Sequence, residues 1–177
     1  MKNNTNKFNN KAKDYVKFRP TYPNEFINYL VKDLKIKDKV IADIGFGTGK
    51  LTELIINDCK TIYAVEPNKD MRVAAEKILN KHKTFHSVNG SAENTTLKDN
   101  SIDLIIVAQA FHWFDAKKAR IEFKRILKPK GIVVLVWNLT LRNTKFLRAQ
   151  RDILHQYSNL KEKKTNNLKK KHLRMDI

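Results

Sequence analysis

The sequence predicts an α/β fold, with a mostly parallel sheet and helices on both of its faces. From residue 39 to residue 137, short apolar segments alternate with segments of helical periodicity, which is the pattern of repeated strand–helix units. Residues 102–108 are almost continuously apolar, as expected for a strand buried on both sides. A glycine-rich turn, GFGTG at 45–49, follows the first apolar segment. Such a turn suits a ligand bound at the carboxyl end of a parallel strand.

The composition indicates one globular domain with two basic ends. The chain has 177 residues and a formal net charge of +18. Residues 1–19 carry six basic and one acidic side chains, residues 141–177 carry eleven and three, and the region between them carries nineteen and fourteen. We therefore expect solvated basic tails rather than a nucleic-acid surface. The lone Cys59 and the lack of an apolar run of about 18 residues favour a reducing cytoplasm and no membrane span.

Three segments are expected along the chain. Residues 1–13 are polar and basic, and we expect them to be disordered. Residues 14–140 form the folded domain. Residues 141–177 form a tail that begins with an amphipathic helix over 145–157 and continues as a lysine-rich run, without a further strand.

The first half of the domain is predicted to hold three helices and three strands. The strands are expected at 39–44, 61–66 and 84–88. The first helix carries apolar residues at helical spacing, namely Phe26, Ile27, Leu30, Val31 and Leu34. The second helix follows the glycine turn and has a predicted apolar face of Leu51, Leu54 and Ile55. Asn68 is the predicted cap of the third helix.

The second half of the domain is predicted to hold two strands and one helix. Turn residues at 98–101 precede the buried strand 102–108. Asp115 is the predicted cap of the following helix. The sequence KPKG at 128–131 is expected to end that helix, and 132–137 is expected to be the fifth strand.

Residues that follow the predicted strands form a candidate ligand site, because ligands bind beyond the carboxyl ends of the strands in an open parallel sheet. Glu66 ends the second strand, and its carboxylate can accept hydrogen bonds from two ribose hydroxyls. Alternatively, Glu66 is a solvated surface acid. An unusually aromatic segment, residues 109–114, follows the fourth strand. It either shapes a pocket or is a hydrophobic plug.

Together these motifs resemble class I S-adenosylmethionine-dependent methyltransferases. The matching segments are residues 43–52, 65–68 with Met71, 90–93, 100–104, 108–114, 125–129 and 136–138, together with Tyr15, Arg19, Pro20, Tyr22 and Pro23. The resemblance covers residues 14–140. It is to the small-molecule group that includes trans-aconitate and ubiquinone/menaquinone-type enzymes, which implies a Rossmann-like fold, S-adenosylmethionine as cofactor and a small-molecule acceptor.

The resemblance also implies roles for individual residues. The cofactor-binding residues would be Tyr15, Arg19, Asp43, Gly45, Gly47, Thr48, Gly49, Glu66, Pro67, Met71, Ala92, Glu93, Gln109 and Ala110. Within this set Asp43 would lie near the amino group of the cofactor, Glu66 at the ribose, and Gln109 near the sulfonium. His112 is the candidate base for removing a proton from the acceptor; alternatively, it only packs or forms hydrogen bonds locally. No metal ligands are expected.

The chain departs from the family pattern at three places. Phe46 stands where this group often has cysteine, and Lys130 stands where a second glycine is usual. The family's sheet has seven strands, and here the last two are expected to be absent, as in a C-terminally truncated chain. A catalytically inactive cofactor-binding module is therefore the alternative to an active methyltransferase.

Two other functions fit the sequence less well. A nicotinamide-dependent dehydrogenase usually has Gly-x-Gly-x-x-Gly, whereas this turn is Gly-x-Gly-x-Gly. Amino-methylating enzymes of nucleic acids usually carry an Asn/Asp-Pro-Pro-aromatic tetrad after the fourth strand, where this chain has AQAF at 108–111. The oligomeric state is left open.

Overall fold

The structure is a computed structural model that describes residues 21–138 and 144–157. The chain divides into two units, Met1–Asn138 and Leu139–Ile177. The predictions for residues 1–13 and for the lysine-rich run after residue 157 lie outside the described residues.

The first unit alternates helices and strands, as the sequence predicts. Its elements are α1 (Asn24–Asn28), a π-helical turn (Tyr29–Asp33), a 3-10 turn (Ile36–Asp38), β1 (Val40–Ile44), α2 (Lys50–Ile55), β2 (Thr61–Val65), α3 (Lys69–Leu79), β3 (Phe85–Val88), β4 (Ile102–Ala108), a 3-10 turn (Phe111–Trp113), α4 (Ala116–Ile126) and β5 (Leu127–Val136).

The five strands form one parallel sheet in the order β3-β2-β1-β4-β5. The chain moves outward from β1 to β3 and then returns to the other side of β1 with β4. The order therefore reverses between β1 and β4, which is where ligands bind in open α/β sheets. Asp43 lies at this point, opposite Ala64 in β2 and Ile106 in β4.

Helices cover both faces of the sheet, which confirms the predicted architecture. One core cluster joins Ile41 and Ile62 to the π-helical turn, α2 and α3 through Leu30, Ile55 and Leu79. The other cluster joins the opposite face of the sheet to α4, and its members include Ala42, Ile44, Ile105, Phe123 and Ile126. The two clusters are separate because successive side chains of a strand point to opposite faces.

Both predicted helix caps are present. The Asn68 side chain accepts a hydrogen bond from the backbone N–H of Met71 at 3.0 Å. The Asp115 side chain accepts hydrogen bonds from the N–H groups of Lys117 and Lys118 at 3.1 and 3.3 Å. The apolar face predicted for α2 is partly wrong, because Leu54 is exposed and the buried face contains Leu51, Thr52 and Ile55.

The predicted start of the fifth strand is also wrong, since β5 begins at Leu127 instead of residue 132. Leu127 pairs with Ile102, and Ile132 pairs with Leu104, so five steps along β5 oppose two steps along β4. The extra residues form an irregular bulge in which Lys130 has φ +66°. The sequence KPKG thus changes the local backbone conformation, as its turn-forming residues favour, but it does so within β5.

The second unit contains one described helix, α5 (Lys145–Tyr157), where the sequence predicts a helix over 145–157. Phe146 and Ile153 are exposed on it. No helix among the described residues is long and apolar enough to cross a membrane.

A buried carboxylate on α4 fixes the loop that follows β3. Glu122 accepts hydrogen bonds from the Thr95 N–H at 2.8 Å and from the Thr95 hydroxyl at 2.6 Å. It also pairs with Arg125 at 2.7 Å, and Arg125 in turn pairs with Asp99. The hydrogen bonds from Arg125 are the largest cause that lowers the pKa of Glu122 from 4.5 to about 2. This network holds residues 95–99 against α4.

Replacement of Glu122 by Gln should therefore weaken the fold. We expect Glu122→Gln to lower the free energy of unfolding at pH 7 by about 2 kcal/mol, because the charged hydrogen bonds are lost while the exposure of Arg125 limits the effect. Since the pKa of Glu122 is lower in the folded chain, its stabilisation is complete above about pH 4.5 and is lost towards pH 2. Urea unfolding from pH 7 downward measures both effects, with the exposed Glu25→Gln as control. An equal loss in both variants would contradict this account.

Candidate cofactor site

The glycine turn after β1 adopts a conformation that other residues rarely take. Gly45, Gly47 and Gly49 have φ values of +73°, +58° and +84°, in the left-handed region that favours glycine. Space is also limited, because a Cβ on Gly45 would lie 2.6 Å from the Cβ of Ala110. A Cβ on Gly49 would lie 2.7 Å from Leu79. The turn therefore packs directly against the loop after β4.

Glu66 is fixed beside this turn by backbone hydrogen bonds. Its Oε2 accepts a bond from the Gly47 N–H at 3.1 Å, and its Oε1 accepts one from the Asn68 N–H at 2.9 Å. Burial raises the pKa of Glu66, and these two hydrogen bonds oppose the increase. Each carboxylate oxygen keeps a further lone pair for another donor. Glu66 is thus a half-buried, oriented acceptor rather than a solvated surface acid.

Asp43 is a buried carboxylate at the end of the central strand β1, with 1% exposure. Its Oδ2 accepts a hydrogen bond from the Thr52 hydroxyl at 2.7 Å. Burial raises the pKa of Asp43 from 3.8 to about 7, the Thr52 hydrogen bond acts in the opposite direction, and the charge of Glu66 raises it further.

Three buried polar atoms at this edge of the sheet have no hydrogen-bond partner among the described residues: Asp43 Oδ1, Thr48 Oγ1 and Gln109 Nε2. Gln109 also has φ +60°, a strained conformation for a residue with a side chain. Buried polar groups are nearly always paired in folded proteins, and strain of this kind concentrates at functional sites. The three atoms offer an acceptor, a hydroxyl and a donor to a polar ligand.

The residues predicted to surround an adenine ring lie in different environments. Met71 and Ala92 are almost fully buried, with 2% and 3% exposure, whereas Pro67 is exposed. The Glu93 carboxylate accepts a hydrogen bond from the Asp115 N–H at 2.8 Å, which connects the loop after β3 to the start of α4. The predicted covering residues Tyr15 and Arg19 lie outside the described residues.

The aromatic segment after β4 contains both packed and exposed rings. Phe111 packs edge-on against Phe114 at 5.9 Å and against Trp137 at 6.3 Å, measured between ring centroids. His112 is exposed and lies 4.7 Å from the Trp113 ring. Phe111 and Phe114 pack against the core, while Trp113 and Trp137 remain 38% and 40% exposed. Phe111 and Phe114 thus agree with the interpretation as a hydrophobic plug, while the interpretation of the exposed rings as a pocket wall stays a prediction.

Thr52, which makes the hydrogen bond to Asp43, is not among the site residues predicted from the sequence. The signal was available in the pattern of α2. Thr52 is a polar residue between Leu51 and Ile55 on the buried face of the helix, and a buried hydroxyl needs a partner.

Comparison with known proteins identifies the family. Residues 42–135, just over half of the chain, match the family model described as a methyltransferase domain. The chain belongs to the methyltransferase domain family. The matched range contains β1 to β5 almost completely, and with them the glycine turn, Glu66 and the loop after β4.

Two relatives illustrate the similarity in sequence. An uncharacterized methyltransferase of Mycobacterium tuberculosis is 38% identical over 128 residues, which cover 70% of this chain and 49% of that protein. An uncharacterized methyltransferase-like protein of Schizosaccharomyces pombe is 34% identical over 152 residues, which cover 85% of this chain and 58% of that protein. The chain thus spans about half the length of the curated relatives it matches.

Solved structures share the fold. A protein of Methanococcus maripaludis, assigned as an S-adenosyl-L-methionine-dependent methyltransferase, aligns with a TM-score of 0.64 and 26% identity over 86% of this chain and 72% of that one. An S-adenosylmethionine-dependent methyltransferase of Aquifex aeolicus aligns with a TM-score of 0.62 and 23% identity over 75% and 76%. Family and fold imply S-adenosylmethionine as the cofactor. The narrower trans-aconitate and ubiquinone/menaquinone grouping stays a prediction.

The buried charge of Asp43 should cost stability in the ligand-free protein. Because the pKa of Asp43 is about 7 when folded and 3.8 ordinarily, the free energy of unfolding falls as pH rises between these values. We expect the stability of Asp43→Asn, relative to the unmodified chain, to increase by about 2 kcal/mol between pH 5 and pH 8. Urea unfolding at both pH values measures this difference.

Asp103→Asn is the matched control. Burial raises the pKa of Asp103, but hydrogen bonds from the Val40 N–H and Lys128 outweigh it and lower the pKa overall. Its replacement should therefore cause a loss of stability that stays constant over the same pH range. A constant difference for Asp43→Asn as well would contradict the assignment of a strained carboxylate.

Proposed function

We propose that this protein transfers a methyl group from S-adenosylmethionine to a small-molecule acceptor. The observation that supports this most is the pair of carboxylates at the switch point of the sheet. Glu66 is oriented by Gly47 and Asn68, and Asp43 keeps one buried oxygen without a partner among the described residues. Two fixed acceptors beside a glycine turn suit a ligand with ribose hydroxyls and an amino group.

The residues at the carboxyl edge of the sheet would each contact a different part of the cofactor. Glu66 would accept hydrogen bonds from the ribose hydroxyls, and Asp43 would lie near the amino group. The glycine turn with Thr48 would line the methionine and ribose portion, while Gln109 and Ala110 would lie near the sulfonium. Pro67, Met71, Ala92 and Glu93 would surround the adenine, and Tyr15 and Arg19 would cover the site.

When bound, S-adenosylmethionine supplies an activated methyl group with a thioether as leaving group. The protein therefore mainly has to align the acceptor with this methyl group and exclude water. The rings of Phe111, Phe114 and Trp137 provide apolar surface beside the Gln109 loop.

His112 is our candidate for the base that removes a proton from a hydroxyl or amine acceptor. It lies in the 3-10 turn Phe111–Trp113, shortly after Gln109 and Ala110. Its ring is exposed, so that an acceptor molecule can approach it from the solvent. A carboxylate acceptor would need no base. In that case the role of His112 would be only local packing or hydrogen bonding.

The alternative function is cofactor binding without catalysis. It predicts tight binding of S-adenosylmethionine with no methylated product from any small-molecule acceptor.

A nucleic-acid acceptor is disfavoured by the sequence at 108–111, and salt-insensitive or absent binding of DNA and RNA would agree with that. A cytoplasmic location also stays a prediction from the single cysteine.

Glu66→Gln tests the cofactor site directly. The amide nitrogen of Gln cannot accept a hydrogen bond from a ribose hydroxyl or from the Gly47 N–H. We expect the dissociation constant of S-adenosylhomocysteine, measured by calorimetry, to rise by at least about tenfold, because hydrogen bonds to a charged acceptor are lost. The exposed Glu25→Gln should bind as the unmodified chain does. Equal affinity in both variants would refute the ribose role.

His112→Ala tests the catalytic proposal separately from binding. We expect turnover of tritiated S-adenosylmethionine with an ultrafiltered small-molecule extract to fall by about a hundredfold, because general base catalysis typically contributes that much. The affinity for S-adenosylhomocysteine should stay unchanged. His86→Ala, at the stacked Tyr63–His86 pair of the edge strand, is the control. Unchanged turnover in His112→Ala would remove the base role.

A further inference from the structure

Thr52 makes a buried polar contact with Asp43. Its side chain is fully buried on α2, and its hydroxyl donates to Asp43 Oδ2 at 2.7 Å. A buried carboxylate next to apolar neighbours is costly, and an apolar pair of the same shape at these two positions would avoid the cost. The contact therefore suggests a role in placing the carboxylate.

Among the described residues, Thr52 is the group that favours the ionised form of Asp43. The flanking sheet positions are Ala64 in β2 and Ile106 in β4, which carry no charge. Within the part of the chain that the structure describes, Glu66 at the end of β2 is the charged group that acts on Asp43, and it disfavours ionisation. The Thr52 hydroxyl acts in the opposite direction. It also occupies Oδ2, so that Oδ1 is the oxygen without a partner among the described residues.

We propose that Thr52 is a positioning residue, which holds one oxygen of Asp43 and leaves the other available to a cationic group of the ligand. This rests on the proposed function, since the cation would be the amino group of the cofactor. The hydroxyl then does two things for an approaching amino group. It fixes the direction of Oδ1, and it increases the fraction of chains in which Asp43 is charged near neutral pH.

The first test measures Asp43 without any ligand. Thr52→Val keeps the shape of the side chain and removes the donor, while Thr52→Ser keeps the donor. Titration of the Asp43 carboxyl carbon by NMR should show a midpoint about one pH unit higher in Thr52→Val than in the unmodified chain. Thr52→Ser should titrate close to the unmodified chain, and Thr52→Ala replaces Thr52→Val if the latter does not fold.

The second test measures binding of S-adenosylhomocysteine by calorimetry from pH 6 to pH 8.5. If only the charged form binds well, a one-unit shift weakens apparent affinity about fivefold at pH 7 and less than about twofold at pH 8.5. Ile55→Val is the matched control, because Ile55 lies on the same buried face of α2 and carries no polar group. It should leave both the Asp43 midpoint and the pH profile of binding unchanged.

The outcomes separate the two proposals. If the unmodified chain binds S-adenosylhomocysteine and Thr52→Val has the same midpoint and pH profile, the positioning role is overturned and the proposed function stands. If the folded unmodified chain binds no S-adenosylhomocysteine at any pH, the proposed function is overturned, and with it the ligand role of Thr52. A loss of affinity that is equal at every pH and equally large in Thr52→Val and Thr52→Ser would indicate packing alone, because Thr52→Ser keeps the donor, and it would also overturn the positioning role.

Discussion

Burial of the Asp43 carboxylate at the end of the central strand is the constraint on which the site depends. β1 lies in the middle of the sheet, and its last residues meet β2 on one side and β4 on the other. A carboxylate there is removed from water, which raises its pKa to about 7. One hydroxyl compensates only partly, so the fold of the ligand-free protein does not fully stabilise the charged form of Asp43. Such local cost is typical of binding sites, where stability is given up for function.

Glu66, at the neighbouring strand end, differs from Asp43 because both of its carboxylate oxygens accept hydrogen bonds. Two backbone N–H groups hold its oxygens, one from the glycine turn and one from the start of α3. The same bonds that orient the side chain also join β1 to β2 beyond the end of the sheet. The site is therefore assembled from strand ends whose relative positions are set by the parallel register, and the loop after β4 is held against the turn where Gly45 approaches Ala110.

Much of the fold and part of the candidate site could be predicted from the sequence, for reasons that differ from element to element. Strands such as 102–108 and caps such as Asn68 depend on local sequence patterns, which is why they could be predicted. The structure confirms them. The irregular start of β5 could not be predicted, because KPKG is turn chemistry wherever it occurs and only pairing with β4 makes it part of a strand. The Thr52–Asp43 hydrogen bond could not be predicted either, because it joins residues on different elements, α2 and β1. The roles of individual site residues follow from family resemblance, and they await a bound ligand.

The claim that this edge of the sheet binds the cofactor is tested most directly by mapping the bound ligand. Backbone amide shifts of the isotope-labelled chain would be followed by NMR during titration with S-adenosylhomocysteine. We expect saturable changes that are largest at residues 45–49, at Glu66 to Asn68, and at Gln109 and Ala110. Saturable changes confined to other surfaces, or none in a folded chain, would contradict this claim.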